Sequence, residues 1–159
     1  MNGSAAAPLL RGARPGDGLA VAELFTASRR DALPYLPELH SDDDTRDHFA
    51  NVVPKRCAVW VAQEHGRLVG FMAWNAATEH LDHLYLLPGH YRRGIGTALL
   101  DKAKELSAGK ILLYAFQRNA RARAFYEHHG FRAIWFGDGA ENEEREPDVL
   151  YEWRAAEVR

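Results

Sequence analysis

The stretch "HYRRGIGTALL", residues 90–100, sets Arg92, Arg93, Gly94 and Gly96 between an apolar run and a helically periodic segment. The run before it, "LDHLYLLP", reads as a buried strand closed by Pro88. The segment after it repeats apolar residues at Ile95, Ala98, Leu99, Ala103 and Leu106, the spacing of one helix face. The glycines therefore stand where a strand hands over to a helix N-terminus. Such a terminus presents unpaired N–H groups and a partial positive charge, which suits a phosphate. Upstream, "TEHLDHLY" brings Glu79, His80, Asp82 and His83 to the start of the same strand. These are groups able to take a proton, histidine having the better placed ordinary pKa. Strict alternation puts His80, Asp82, Leu84 and Leu86 on one face and His83 with Tyr85 on the other.

The glycine turn fails two familiar phosphate-binding patterns. A Walker A loop begun at Gly89 would need lysine where Ile95 stands. A dinucleotide-binding turn would need glycine where Leu99 stands, and a carboxylate near the end of the next strand, which closes at Phe116 without one. A plain strand-to-helix turn remains as the third reading from these residues alone.

The elements around the turn follow from periodicity and breakers. A short strand over 9–14 precedes a helix over 18–32, and "LPYLPELH" is a proline-broken connection. Ser41 with Asp44 starts a second helix running to about Val53, where Pro54 is expected to stop it. "CAVWVAQE" and "LVGFMAWN" read as a hairpin around "HGR", followed by the strand "LDHLYLL", the glycine turn and a helix to about Ser107. "ILLYAF" is a buried strand. "NARARAFYEHHGF" is a helix starting at Asn119 and closed by Gly130, with "EHH" in a solvated last turn. "RAIWF" and "DVLYEWRA" are two final strands around an acidic loop. The order is β-α-α-β-β-β-α-β-α-β-β, a mixed α/β sheet with helices on both faces.

At 159 residues the chain fits a single domain over 1–159. A net charge of -2 argues against nucleic acid as a partner. Cys57 is the only cysteine, so no internal disulfide and no cysteine-based zinc site is expected. It lies in an apolar run and reads as a core thiol. No stretch is long enough to span a membrane and the N-terminus lacks a signal-peptide pattern, so a cytoplasmic location is expected.

Two motifs together carry a family resemblance. "LYLLPGHYRRGIGTALL" resembles the acyl-CoA-binding motif of the GCN5-related N-acetyltransferases (GNAT), Gln/Arg-x-x-Gly-x-Gly/Ala, with Tyr91 at the Gln/Arg position. "NARARAFYEHHGF" is similar to the family's Asn-x-x-Ala-x-x-Phe-Tyr-x-x-x-Gly-Phe signature, and the element order is also the family's. The resemblance implies acetyl-CoA as co-substrate, without a metal, and transfer of its acetyl group to an amine. It implies cofactor contacts from Tyr91 to Thr97, including Ile95, from Asn119, Phe125 and Tyr126, and from the backbone of Leu84, Tyr85 and Leu86. That backbone would lie where two parallel strands splay, with an oxyanion donor near Leu86. Tyr126 stands where the family's tyrosine protonates the leaving thiolate, and His80, Asp82 and His83 are the candidates for the base. The acceptor, a small-molecule or protein amine, is expected among the variable parts: Tyr35, His40 and Trp74. Carboxylates at 42–44, 141, 143 and 144 could attract a cation there. A monomer or homodimer is expected, and a silent acyl-CoA sensor on the same fold is the alternative.

Overall fold

The computed structural model describes residues 7–91 and 94–156. The elements run β1 (Leu9–Gly12), α1 (Gly18–Ala32), α2 (Asp42–Asp47), α3 (Val53–Arg56), β2 (Ala58–Glu64), β3 (Arg67–Asn75) and β4 (His80–Leu86). After the glycine turn come α4 (Ile95–Leu106), β5 (Lys110–Phe116), α5 (Ala120–His128), β6 (Arg132–Gly137) and β7 (Asp148–Arg154). They form one seven-stranded sheet in the order β1-β2-β3-β4-β5-β7-β6. The β4–β5 pair is parallel and all the others are antiparallel. The mixed α/β architecture and the element order are those expected from the sequence. Among the described residues no helix is long and apolar enough to cross a membrane.

Pro54 does not stop the second helix. A π turn over His48–Val52 joins α2 to α3, and the Val53 N–H reaches back to the His48 carbonyl. The widened turn brings Pro54 to the start of α3, where a missing N–H removes no needed donor.

The sheet buries a different apolar cluster on each face. On one, α4 and α5 cover Met72, Trp74, Leu81, Ile111 and Leu113. On the other, Val21 and Leu24 of α1 and Phe49 of the π turn cover Val61, Phe71 and Ala73. Gly70 sets how closely α4 approaches. A Cβ built there would lie 2.9 Å from Leu86 Cδ2, 3.0 Å from Leu99 Cδ1 and 3.1 Å from Ile95 Cγ2. Gly70→Val should therefore overpack this junction and destabilise the fold by about 1–3 kcal/mol. A urea midpoint equal to that of the wild type would show that α4 moves away without cost.

Candidate active site

The parallel pairing of β4 and β5 consists of a single register pair, His80 with Leu112, beside one bond from the Leu112 N–H to the Glu79 carbonyl at 2.8 Å. Beyond that point β4 stays with β3 as far as Leu86, while β5 follows β7 to Phe116. The Leu87 N–H donates to Val69 on β3. Alternation then turns the N–H groups of Leu86 and Leu84 toward the side where β5 has left. The splay leaves an open strand edge inside the sheet, which an extended amide-bearing chain can occupy.

At the mouth of the splay lies the glycine turn. Gly94 caps α4 with φ 79° and ψ 0°, a left-handed conformation that side chains with a Cβ adopt at a cost. At Gly96 a Cβ would stand 3.4 Å from Phe125 Cζ, near ordinary contact, so the Phe125 ring of α5 packs against the start of α4 there. Thr97 Oγ1 and His129 Nε2 are 3.2 Å apart, so His129, expected in a solvated turn, instead ties the end of α5 to this site. Tyr91 keeps its hydroxyl buried without a partner, and the Arg121 guanidinium lies 4.4 Å from its ring centroid. Arg92 and Arg93 lie outside the described residues. Asn119 is the N-cap of α5, its Oδ1 accepting from the Ala122 N–H at 3.2 Å.

Tyr126 is buried among Leu84 and Leu86 of β4 and Leu113 and Ala115 of β5, against the rings of Phe125, Phe131 and Tyr151. Burial, with a smaller contribution from Tyr85, holds its phenol well above the usual tyrosine range. It therefore keeps its proton at neutral pH and is a donor.

A β-bulge corrects the expected alternation. Ala73 pairs with His83 but Trp74 pairs with Leu81, which leaves Asp82 as an extra residue of β4. The phase of the strand shifts there. Leu81, Leu84 and Leu86 all pack on the α4 face. Asp82, His83 and Tyr85 line a cavity of about 980 Å³ on the opposite face, and His80 stacks on Tyr114 beside it at 5.8 Å. The four residues that strict alternation divides thus share one side. Tyr85 turns its side chain to this cavity and its N–H to β3, so the open edge belongs to Leu84 and Leu86. Trp74 is not a lining residue: at 4% exposure it belongs to the core under α4.

The cavity lies between the α1–α2 connection and the β6–β7 loop, with Phe25, Phe49, Tyr85 and Phe116 supplying apolar wall. His40 lines it and pairs with Glu143 at 3.0 Å. Tyr35 does not. Its ring lies under the Arg118 guanidinium, 3.8 Å from the centroid, and its hydroxyl is buried without a partner. Half of the carboxylates expected to attract a cation already hold an arginine: Glu144 holds Arg29 at 2.9 Å, and Asp42 holds Arg30 at 3.3 Å. Asp43 pairs with Arg46, away from the cavity. Among the described residues no Lys or Arg pairs with Asp82, whose Oδ2 accepts from Cys57 Sγ at 3.5 Å. Burial, aided by Asp82, pushes the Cys57 thiol up to about 12. Sequence reasoning missed Phe25, Arg29 and His48 as lining residues. The i, i+4 spacing of Phe25 and Arg29 on α1 was the available signal.

His83 sits amid the rings of Phe25, Phe49 and Phe71, its Nδ1 buried without a partner. Burial brings its pKa down to about 4, Asp82 pulling the other way and His48 and Arg29 adding to the fall. It is therefore neutral at physiological pH. Its folded pKa lies below its unfolded one, so its stabilising effect is complete above about 6.5 and is lost as pH falls toward 4. His83→Phe keeps an aromatic ring and removes the titration. Between pH 7 and pH 5 the wild type should lose about 2 kcal/mol more than this variant in urea unfolding. Parallel losses would mean that His83 is not held neutral.

The same architecture occurs in known proteins. A family model, the acetyltransferase (GNAT) domain, matches residues 55–133, the span from α3 through the splay and the glycine turn to the start of β6. An uncharacterized N-acetyltransferase of Mycobacterium bovis is 35% identical over 86 residues, 50% of this chain and 54% of that protein. The chain thus spans about half the length of that curated relative. Among solved structures, a GCN5-related N-acetyltransferase from Rhodopseudomonas palustris superposes with TM-score 0.77 at 21% identity, covering 97% of this chain and 99% of the other. The PaiA N-acetyltransferase of Thermoplasma acidophilum, in complex with coenzyme A, gives 0.73 at 18% identity over 92% and 98%. With the splayed strands, the glycine-capped helix and the buried tyrosine all in place, the chain belongs to the GCN5-related N-acetyltransferase family.

Proposed function

We propose that this chain is an acetyl-CoA-dependent N-acetyltransferase that passes the acetyl group directly to a primary amine bound in the cavity beside Asp82. The observation that carries the reading is the β4–β5 splay itself. It opens a passage with a helix N-terminus at its mouth, a buried phenol beside it and a polar cavity on the far face. The residues present fit coenzyme A. The first N–H groups of α4 suit its pyrophosphate, with Gly94 allowing close backbone approach. The unpaired edge of Leu84 and Leu86 suits the amides of its pantetheine arm. Arg121 over Tyr91 puts a cation beside the position where the family motif has Gln or Arg.

The co-substrate supplies an activated thioester, and the chain's own groups do the rest. Asp82, without a Lys or Arg partner, draws in the ammonium form of the acceptor. His80, stacked on Tyr114 at the rim, takes the proton that leaves the amine. The N–H of Leu86 faces the carbonyl oxygen as charge develops on it. Tyr126 donates the proton that the departing thiolate needs. Cys57, with its thiol pushed up to about 12, takes no part, so no acyl-enzyme forms.

Release of coenzyme A from acetyl-CoA, measured across a panel of amines, tests the activity; no release with any amine would overturn it. Tyr126→Phe keeps the ring and removes only the donor. Coenzyme A affinity should hold while turnover falls roughly 10²-fold, the low end for acid–base catalysis. Full turnover, measured where chemistry limits the rate, would leave Tyr126 a packing residue. Among the described residues beyond its chain neighbours, a Cβ added at Gly94 meets no atom within 4 Å, so the effect of Gly94→Val comes from the positive φ and from the β-branched side chain standing in the ligand's path. Calorimetry should show coenzyme A affinity reduced at least about 10-fold, roughly 1.4 kcal/mol. Unchanged affinity would remove the phosphate from this turn.

A further inference from the structure

Charge is distributed unevenly around the cavity beside Asp82. Seven carboxylates line it against two arginines, Arg29 and Arg30. With histidines counted neutral, that is an excess of five negative charges on a chain whose net charge is -2. Both arginines are already engaged. Arg29 holds Glu144, and Arg30 holds Glu38 at 2.6 Å and Asp42 at 3.3 Å. Glu143 has His40. Asp44, Asp47 and Asp82 remain, and among the described residues none of the three pairs with Lys or Arg. They stand at two places. Asp44 and Asp47 are i, i+3 on α2 and so share one helix face, whereas Asp82 is the extra residue at the bulge of β4. Asp47 precedes His48 and Asp82 precedes His83, and the two imidazole centroids are 6.5 Å apart. The Phe49 ring touches both, at 5.4 Å and 5.1 Å, so the wall between the two acidic places is aromatic.

His83 adds an independent observation. Its imidazole lines the same cavity, and its Nδ1 is buried with no partner. A buried ring nitrogen left unpaired costs free energy, and in the Nε2–H tautomer it accepts from an N–H donor. The cavity thus lacks, at that point, what an amine brings. We propose that the acceptor is a linear aliphatic amine carrying a second ammonium group. Its reacting nitrogen sits at Asp82 and His83, its methylene chain lies along Phe25 and Phe49, and its distal ammonium sits at Asp44 and Asp47. This rests on the reading of the cavity as the acceptor site and names the class of amine that enters it. A monoamine would satisfy Asp82 and leave the α2 pair without a counter-charge. The phenylalanine rings offer no hydrogen-bond partner to a peptide backbone, whereas a methylene chain packs on them.

Calorimetry on the full chain at about 0.15 M salt, where long-range fields are screened, should show spermidine and 1,4-diaminobutane binding at least about 10-fold tighter than n-butylamine. Equal affinities, or no binding of either polyamine, overturn the proposal. Asp44→Asn with Asp47→Asn should remove that advantage and leave n-butylamine unchanged, the fold being checked by circular dichroism. Asp43→Asn is the control, because Asp43 pairs with Arg46 away from the cavity. An equal loss in the control, or an advantage that survives the double variant, puts the distal ammonium elsewhere and overturns the proposal. In turnover, the double variant should raise KM for 1,4-diaminobutane about 10-fold at unchanged kcat, the mark of binding shared by ground and transition states. The binding readouts need no acetyl transfer. Acetylation of monoamines and diamines with equal kcat/KM would sink this inference while the proposed activity stands. Diamine binding that the double variant abolishes, with no release of coenzyme A, would sink the activity and leave the ligand class standing.

Discussion

A β-sheet is held together by backbone hydrogen bonds, and opening one in its middle leaves polar groups that cost roughly 1–3 kcal/mol each if buried without partners. Here β4 and β5 share one register pair and then part. The sheet survives because each half is complete on its own. β1 to β4 form an antiparallel meander, and β5 pairs with β7 along its whole length. What joins the halves is apolar. Leu84 and Leu86 from one side and Leu113 and Ala115 from the other bury against Ile95, Leu99 and Tyr126 under α4 and α5. The opposite face has no equivalent cover over the splay, and the cavity lies there. The passage is thus a consequence of where the hydrophobic cluster sits.

Electrostatics sharpen the cavity more than its acidic loops suggest. Arg29 and Glu144, with side chains 24% and 11% exposed, tie α1 to the β6–β7 loop. Arg118 pairs with Glu146 while lying over Tyr35, which ties the β5–α5 turn to that loop and to the α1–α2 connection. These contacts spend part of the acidic charge on holding the cavity walls. Acidic charge with no Lys or Arg partner among the described residues remains at Asp82, where the strand bulges toward the cavity, and at Asp44 and Asp47 of α2, which also line it. Tyr35 accordingly belongs with the Arg118–Glu146 contact and His40 with Glu143, whereas Asp82 has no Lys or Arg partner among the described residues.

The sequence was most legible where one residue type has one physical reason. Gly94 reads as a turn because its positive φ favours glycine, and Asn119 reads as a cap because its side chain is the right length to reach the next turn's N–H groups. Legibility failed where a tertiary neighbour decides. Trp74 reads as an aromatic at a strand end, and only its pairing with Leu81 places it under α4. Pro54 reads as a breaker, and only the π turn before it makes it tolerable. His83 reads as a titrating base, and only the three phenylalanines around it deny it a proton.

The bulge at Asp82 binds these strands of argument together, because side-chain direction and N–H direction alternate with the same period. Before the bulge, Leu81 faces α4. After it, Leu84 and Leu86 face α4 as well, and their N–H groups point into the splay. The one extra residue lets both His80 and His83 face the cavity although an odd number of positions separates them. A strand without it, in register with β3 through Leu86, would turn Leu81 out of the core and His80 into it. That exchange would bury an imidazole and expose a leucine, costs of the same sign. The fold therefore keeps the bulge for its own stability, and the same bulge delivers Asp82 to the cavity while the register with β3 beyond it leaves the N–H groups of Leu84 and Leu86 at the splay.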